Sequence, residues 1–413
     1  MGLKSVKGAK IEVSVRVEDK IDGRARAMRQ RLESVKSEDL YYYNQPIEEL
    51  CGGARVRTGG REMLMFASYS YLGLIGHPRI NAAAEAAIEE FGTGTHGVRL
   101  LAGTLKLHNE LEATIAAFKH TEDAVTFSSG YVTNLTAIST MVGRHDAVIC
   151  DKLDHASIVD GCLLSGADFV RFKHNDMADL ERCLKKTAGR AARLVVVDAV
   201  FSMDGDITDL PAVAELCQKY GAWLMVDEAH SVGVLGKTGH GIEEHFGLDG
   251  VIDLKMGTLS KTIPSVGGYL AGRHDLMQLF RHESRAFIFS AALPPAQAAA
   301  ARAAFEVIED EPERVETLRK NAARFTRGLK QLGFDTMRTE TAIVPVLCGT
   351  DDLAFGMVRD CQHDNIFVLP VVSPAVPIGQ ARLRATVTAV HTATEIDTAL
   401  GVLQLAGQRV GII

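Results

Sequence analysis

The apolar positions of this chain follow two alternating periods from about residue 61 to residue 292. Compact, mostly apolar runs rich in β-branched residues read as strands at Ala124–Phe127, Ala147–Cys150, Phe169–Phe172, Leu194–Asp198, Ala222–Asp227, Val251–Met256 and Val266–Ala271. Helical spacing fills the intervals from Ser129 and over 155–164, 176–187 and 211–220. Earlier, Arg61–Ala67 reads as a first strand, Ser68–Gly73 as the loop after it, and 78–91 and 106–118 as helices. Apolar strands separated by helices predict an α/β layer around a mostly parallel central sheet. After Leu293-Pro294-Pro295 the pattern changes. Two long helices (295–309 and 312–332) precede strand Ile343–Leu347, helix 352–363, strands Phe367–Leu369 and Ala381–Thr388, and a final helix from about 393. That is a second, smaller α+β unit. The expected division is an N-terminal segment 1–60, a large domain 61–292 and a small domain 293–413.

The 413 residues suffice for two such domains, and the 46% hydrophobic, 23% charged composition is that of an ordinary soluble protein. A formal charge of −7 argues against a general affinity for nucleic acid or anionic membrane. No apolar run approaches the roughly 20 residues that span a bilayer. The N-terminus lacks a signal-peptide core, and Val6 breaks the myristoylation pattern. Cysteines 51, 150, 162, 183, 217, 348 and 361 form no C-x-x-C pair, which predicts reduced thiols in a cytoplasm. A charged helix at Arg24–Val35, with Arg24, Arg26, Arg29 and Arg31, reads either as a solvated face or as a basic lip for a phosphorylated carrier.

Chemistry is sought beyond the carboxyl ends of the strands, where open α/β sheets bind ligands. Lys261 lies among the hydroxyls of Thr258, Ser260 and Thr262, ahead of Gly267-Gly268, with no acid close in sequence. An amine so placed can serve as a Schiff-base nucleophile beside a phosphate held by the hydroxyls, a combination that suits pyridoxal phosphate. A solvated lysine in a Ser/Thr-rich loop is the plain alternative. Ser128-Ser129-Gly130-Tyr131 opens a helix whose N-terminus suits a phosphate, and reads equally as an ordinary cap. His155 can lie against an aromatic cofactor, or stand on the surface at a helix start. Asp227, at a strand end, can pair with a protonated pyridine nitrogen, and His230 with the ring's phenolic oxygen. A capping or metal-binding aspartate is the alternative, but no second acid/histidine cluster in the sequence supports a metal. In Ala381–Thr388, alternation puts Arg382, Arg384 and Thr386 on one face, where arginines make good carboxylate forks.

The set SSGY, DHAS, VFSMDGD, VDEAHS, GTLSK followed by GG, and RLRATVTAVHT resembles the α-oxoamine synthases, from about Leu40 to the C-terminus. These are fold-type I, aspartate aminotransferase-like pyridoxal-phosphate enzymes. The stretches HASIVDGCLLSGADFVRFKHND and MGTLSKTIPSVGGYLAG, with Tyr69, are most similar to the bacterial serine palmitoyltransferase branch. The resemblance implies Lys261 as the cofactor lysine, Asp227 as pyridinium partner, His230 and Ser202 near the ring hydroxyl, and His155 on the ring face. It implies Gly130, Tyr131, Thr258 and Ser260 around the phosphate and Arg384 as the substrate-carboxylate fork; Tyr69 and Arg382, the other arginine of that strand face, are expected on the substrate as well. Ser290 and Ala291 match positions reaching the phosphate of a neighbouring subunit, which implies a homodimer with shared sites. Val372 stands where that branch has a mobile arginine, Ser70 where it has asparagine, and His96 and Val98 where small or hydroxyl residues are usual.

The expected reaction condenses a small L-amino acid (serine, glycine or alanine) with an acyl thioester of coenzyme A or an acyl carrier protein, giving an α-aminoketone. The rivals are an aminotransferase or amino-acid decarboxylase on the same fold, and a non-catalytic subunit or regulatory module, against which Lys261, Asp227 and His230 count.

Overall fold

The computed structural model describes residues 20–413. Val6 and the rest of 1–19, part of the expected segment 1–60, lie outside them. The described residues up to Asn44 and the residues from Gln45 to Ile413 are separate compact units. The first holds the helix Lys20–Ser37, which has no buried residue and carries the four arginines.

The second unit is organised on a seven-stranded sheet. Its order, by residue range, is Asp123–Phe127, Pro264–Gly272, Leu254–Ser260, Trp223–Asp227, Arg193–Asp198, Ala147–Asp151 and Asp168–Phe172. The five strands from Leu254–Ser260 to Asp168–Phe172 run parallel, and Pro264–Gly272 is antiparallel to both of its neighbours. Ala147–Asp151, Arg193–Asp198 and Trp223–Asp227 are buried almost throughout, as a sheet covered on both faces requires. The register sets Asp198 opposite Asp227, so two strand-end acids sit side by side.

Three expectations need correction. Arg61–Met65 is a strand, but it is an inner strand of a four-stranded sheet with Glu49–Gly52, Arg55–Thr58 and Ile366–Phe367, outside the central sheet. The register Leu64↔Ile366 therefore joins the early chain to the late one. Ala381–Thr386 is the middle strand of a three-stranded sheet and is buried at every position, so its alternation does not separate a core face from an open one. The stretch Val251–Asp253 lies ahead of the strand it was read into, which spans Leu254–Ser260.

All seven cysteines are unbonded. Among the described residues no helix is long and apolar enough to cross a membrane, and no group of three or more His, Cys, Asp or Glu side chains could hold a metal.

Candidate active site

A cavity of about 250 Å³ opens at the carboxyl ends of the parallel strands, lined by Gly130, Tyr131, Asn134, His155, Asp227, His230 and Lys261 among others. Each wall has a local cause. Helix Gly130–Met141 begins where strand Asp123–Phe127 ends, capped by Ser129, whose hydroxyl accepts from Val132 N–H. That cap leaves the first N–H groups of the helix, with its positive dipole end, at the cavity wall. Thr258 and Ser260 share a hydrogen bond of 2.9 Å on the facing strand. A Cβ on Gly130 would lie 2.9 Å from Thr258 Oγ1, and one on Gly268 would lie 2.9 Å from Gly130 N, so both glycines are needed for this close approach.

Asp227 is buried and accepts at Oδ2 from Asn134 Nδ2 (2.7 Å) and at Oδ1 from Ala229 N–H (2.8 Å). Asn134 also donates to Ser157 Oγ at 2.8 Å, and Ser157 lies 2.7 Å from His155 Nδ1. The Ser157 hydroxyl hydrogen therefore goes to Nδ1, and the neutral imidazole carries its own hydrogen on Nε2. Burial holds the His155 pKa below the ordinary histidine value, against the pull of Asp227. Asp154 latches this loop by accepting from Asp151 N–H and Asp198 N–H, while His155 N–H donates to Asp198. Burial and then the adjacent Asp227 push the Asp198 carboxyl well above the usual carboxylate range.

Lys261 Nζ is 2.7 Å from His230 Nε2, and His230 Nδ1 is 2.6 Å from the Tyr71 hydroxyl. Burial lowers the Lys261 pKa to about 8, although Asp227 and Asp198 oppose the shift. It raises the Tyr71 phenol to about 12 and drives His230 well below the ordinary value. A protonated phenol beside a neutral imidazole donates to Nδ1, which puts the His230 hydrogen on Nε2, facing Lys261. That tautomer suits a neutral amine better than an ammonium.

Arg384 donates from Nε to Ser202 O (2.6 Å) and from Nη1 to Thr386 Oγ1 (2.9 Å), and lies 4.7 Å from the centre of the Tyr69 ring. Its Nη2 is buried without a hydrogen-bond partner. Lys261 Nζ is 5.9 Å from the same ring, so Tyr69 borders both groups. Phe66 N–H donates to Phe367 O and Phe66 O accepts from Thr386 N–H, which ties the segment bearing both tyrosines to the arginine strand.

The residues fit pyridoxal phosphate: a helix N-terminus and hydroxyls for the phosphate, a buried acid for the ring nitrogen, and an amine depressed enough to react with the aldehyde. Comparison with known proteins agrees. Residues 61–403 match the aminotransferase class I and II family. The 8-amino-7-oxononanoate synthase of Symbiobacterium thermophilum is 45% identical over 387 residues, 93% of this chain and 98% of that one. The chain belongs to the α-oxoamine synthases. A serine palmitoyltransferase structure with pyridoxal phosphate superposes with a TM-score of 0.92 at 36% identity, covering 96% of this chain and all of that one. The Sphingomonas wittichii serine palmitoyltransferase gives the same TM-score and coverage at 32% identity.

In this α-oxoamine synthase the cavity gathers Lys261, Asp227, His230, His155, Gly130, Tyr131, Ser202, Thr258 and Ser260. Arg382 does not join them. Its guanidinium is 1% exposed by residue and bonded to Asp204 Oδ1 (2.8 Å) and Gln380 O (3.1 Å), so no fork is free for a substrate. Ser290 and Ala291 line a different, small crevice with Arg99 and Phe287. Sequence reasoning missed Asn134, Ser157, Asp198 and Tyr71. Asn134 stands one helical turn beyond Gly130, a spacing that points both at the same face. Asp198 ends its strand as Asp227 does, a usable signal.

Proposed function

We propose that this synthase joins a small L-amino acid (alanine, glycine or serine) to an acyl thioester, releasing the thiol and carbon dioxide and leaving an α-aminoketone. The observation that carries this reading is the Lys261 amine, 2.7 Å from His230 and depressed to about 8, bordering the same Tyr69 ring as Arg384 with its unbonded Nη2. Pyridoxal phosphate supplies the electron sink for a carbanion at the amino acid's Cα. Asp227 would hold a proton on the ring nitrogen of the bound cofactor, and Asn134 orients that carboxylate. Arg384 holds the substrate carboxylate against the Tyr69 ring, alone, because Arg382 is consumed by Asp204 and Val372 offers no second cation. Lys261, near the working range of a general base, takes the Cα proton. His155, oriented through Ser157, positions the reactants with its Nε2–H.

The acyl carrier is coenzyme A or a carrier protein; the exposed arginines of helix Lys20–Ser37 are the candidate dock for the latter. Ser290 and Ala291, outside the Lys261 cavity of their own chain, support a homodimer in which they complete the partner's phosphate site. The ranges 61–292 and 293–413 serve as cofactor and small domains, with Arg61–Met65 tied to the latter through its pairing with Ile366–Phe367. Unbonded cysteines favour a cytoplasmic setting.

The test is product analysis of the holoenzyme with each amino acid, with and without an acyl thioester. Carbon dioxide should appear only with both substrates. Release without thioester would mark a decarboxylase, and a keto acid an aminotransferase. Lys261→Ala should abolish turnover and borohydride-fixed cofactor at this position; retention of either overturns the assignment.

A further inference from the structure

His174, two residues past the end of strand Asp168–Phe172, is held in a way that the chemistry above does not use. Its Nδ1 is 3.1 Å from Asp151 Oδ1 and its Nε2 is 2.8 Å from Asp206 Oδ2. Both nitrogens face carboxylates, so both carry hydrogen and the ring is an imidazolium. Burial opposes that charge, but the two acids outweigh it and bring the pKa to about 10. Asn175 doubles the tie, donating from its backbone to Asp151 Oδ2 (2.8 Å) and from its side chain to Ile207 O (3.0 Å). The Phe201 ring meets the imidazole edge-on at 4.4 Å.

What is fastened is the turn 201–206. It closes on itself through Gly205 N–H to Phe201 O (2.8 Å) and Phe201 N–H to Asp206 O (3.1 Å). Its other rim meets the small domain: Ser202 O accepts from Arg384 Nε (2.6 Å), Asp204 from Arg382 (2.8 Å) and Gly205 O from Thr341 Oγ1 (3.0 Å). The turn is thus clamped between an imidazolium and two arginines.

We propose that His174 is a positioning residue for amino-acid binding: by bridging Asp151 and Asp206 it fixes the turn whose Ser202 carbonyl aims Arg384. This rests on the reading of Arg384 as the carboxylate fork. A role confined to fold stability would lower the melting temperature without distinguishing one substrate from the other.

The experiment uses full-length holoenzyme and a double-mutant cycle of His174→Ala and Arg384→Ala, with KM measured for each substrate at saturation of the other. His174→Ala should raise the KM for the amino acid roughly tenfold, a coupling of ordinary size for contacting networks. It should leave the KM for the thioester unchanged. In the Arg384→Ala background it should add nothing. Equal rises in both KM values, or additive effects in the cycle, overturn the proposal. Should His174→Ala not fold, Asp206→Asn, which keeps the side-chain size and weakens one bridge, must show the same selective rise; its absence is equally fatal. If Arg384→Ala itself leaves the amino-acid KM unaltered, the carboxylate-fork reading fails and His174 with it. If Arg384→Ala raises that KM and His174→Ala does not, only the His174 proposal falls.

Discussion

Tyr71→Phe tests the tautomer that favours the neutral form of Lys261, a contribution beside the burial that lowers its pKa. The hydroxyl is fully buried and 2.6 Å from His230 Nδ1, and the change removes one oxygen while keeping the ring. In the wild type, donation to Nδ1 selects the tautomer whose Nε2–H faces the lysine. Without it, either tautomer leaves one imidazole nitrogen unsatisfied, so the preference vanishes and Nε2 is free to accept from an ammonium. A buried neutral hydrogen bond contributes about 0.5–1.5 kcal/mol net, which corresponds to a rise of up to about one unit in the Lys261 pKa. The rise starts from about 8, the value set by burial. The free amine is titratable only in apoenzyme. The assay is therefore the rate at which apoenzyme takes up pyridoxal phosphate, followed by absorbance across pH. The rate follows the unprotonated fraction, so it climbs through the pKa, with a wild-type midpoint near 8 and a higher one in the variant. A midpoint that stays put or falls refutes the tautomer argument.

Two glycines give sharper steric tests. Gly130→Ala places a methyl 2.9 Å from Thr258 Oγ1 and 3.3 Å from Met256 Cε, at the cofactor wall. It should weaken pyridoxal phosphate binding about tenfold in equilibrium titration and lower apoenzyme stability by about 1–3 kcal/mol; unchanged affinity would show that the helix N-terminus is not the phosphate cradle. Gly257→Ala is the converse, because Gly257 faces Tyr269 across the antiparallel pair and a Cβ would fall within the buried phenol ring. Urea unfolding should show a loss of about 3 kcal/mol or more; a smaller loss means that the two strands can part without cost.

The central sheet was legible because strands buried on both faces must be apolar almost throughout. Lys261, Asp227, His230 and His155 were legible because ligands collect beyond strand ends, and each residue type has a part in one cofactor's chemistry. Pairing across long separations was not. Nothing local in Arg61–Met65 names Ile366–Phe367 as its neighbour, and nothing in Arg382 announces Asp204, which turned a presumed substrate fork into a structural ion pair. Asn134 looked like any polar helix residue, since its meaning comes from an acid on another strand. Tyr71 sits in a loop of serines and tyrosines where nothing marks out the one hydroxyl that bonds a histidine 159 positions away.

The pairing of Arg61–Met65 with Ile366–Phe367 also bears on how the chain comes to be folded on the ribosome. This early strand emerges with one hairpin neighbour and must wait for about three hundred further residues before its other edge is satisfied. Until then an open strand edge is available to any passing chain, a recognised route to aggregation. The loop bearing Tyr69 and Tyr71 follows directly after, so a competent catalytic centre should be among the last features of the molecule to mature.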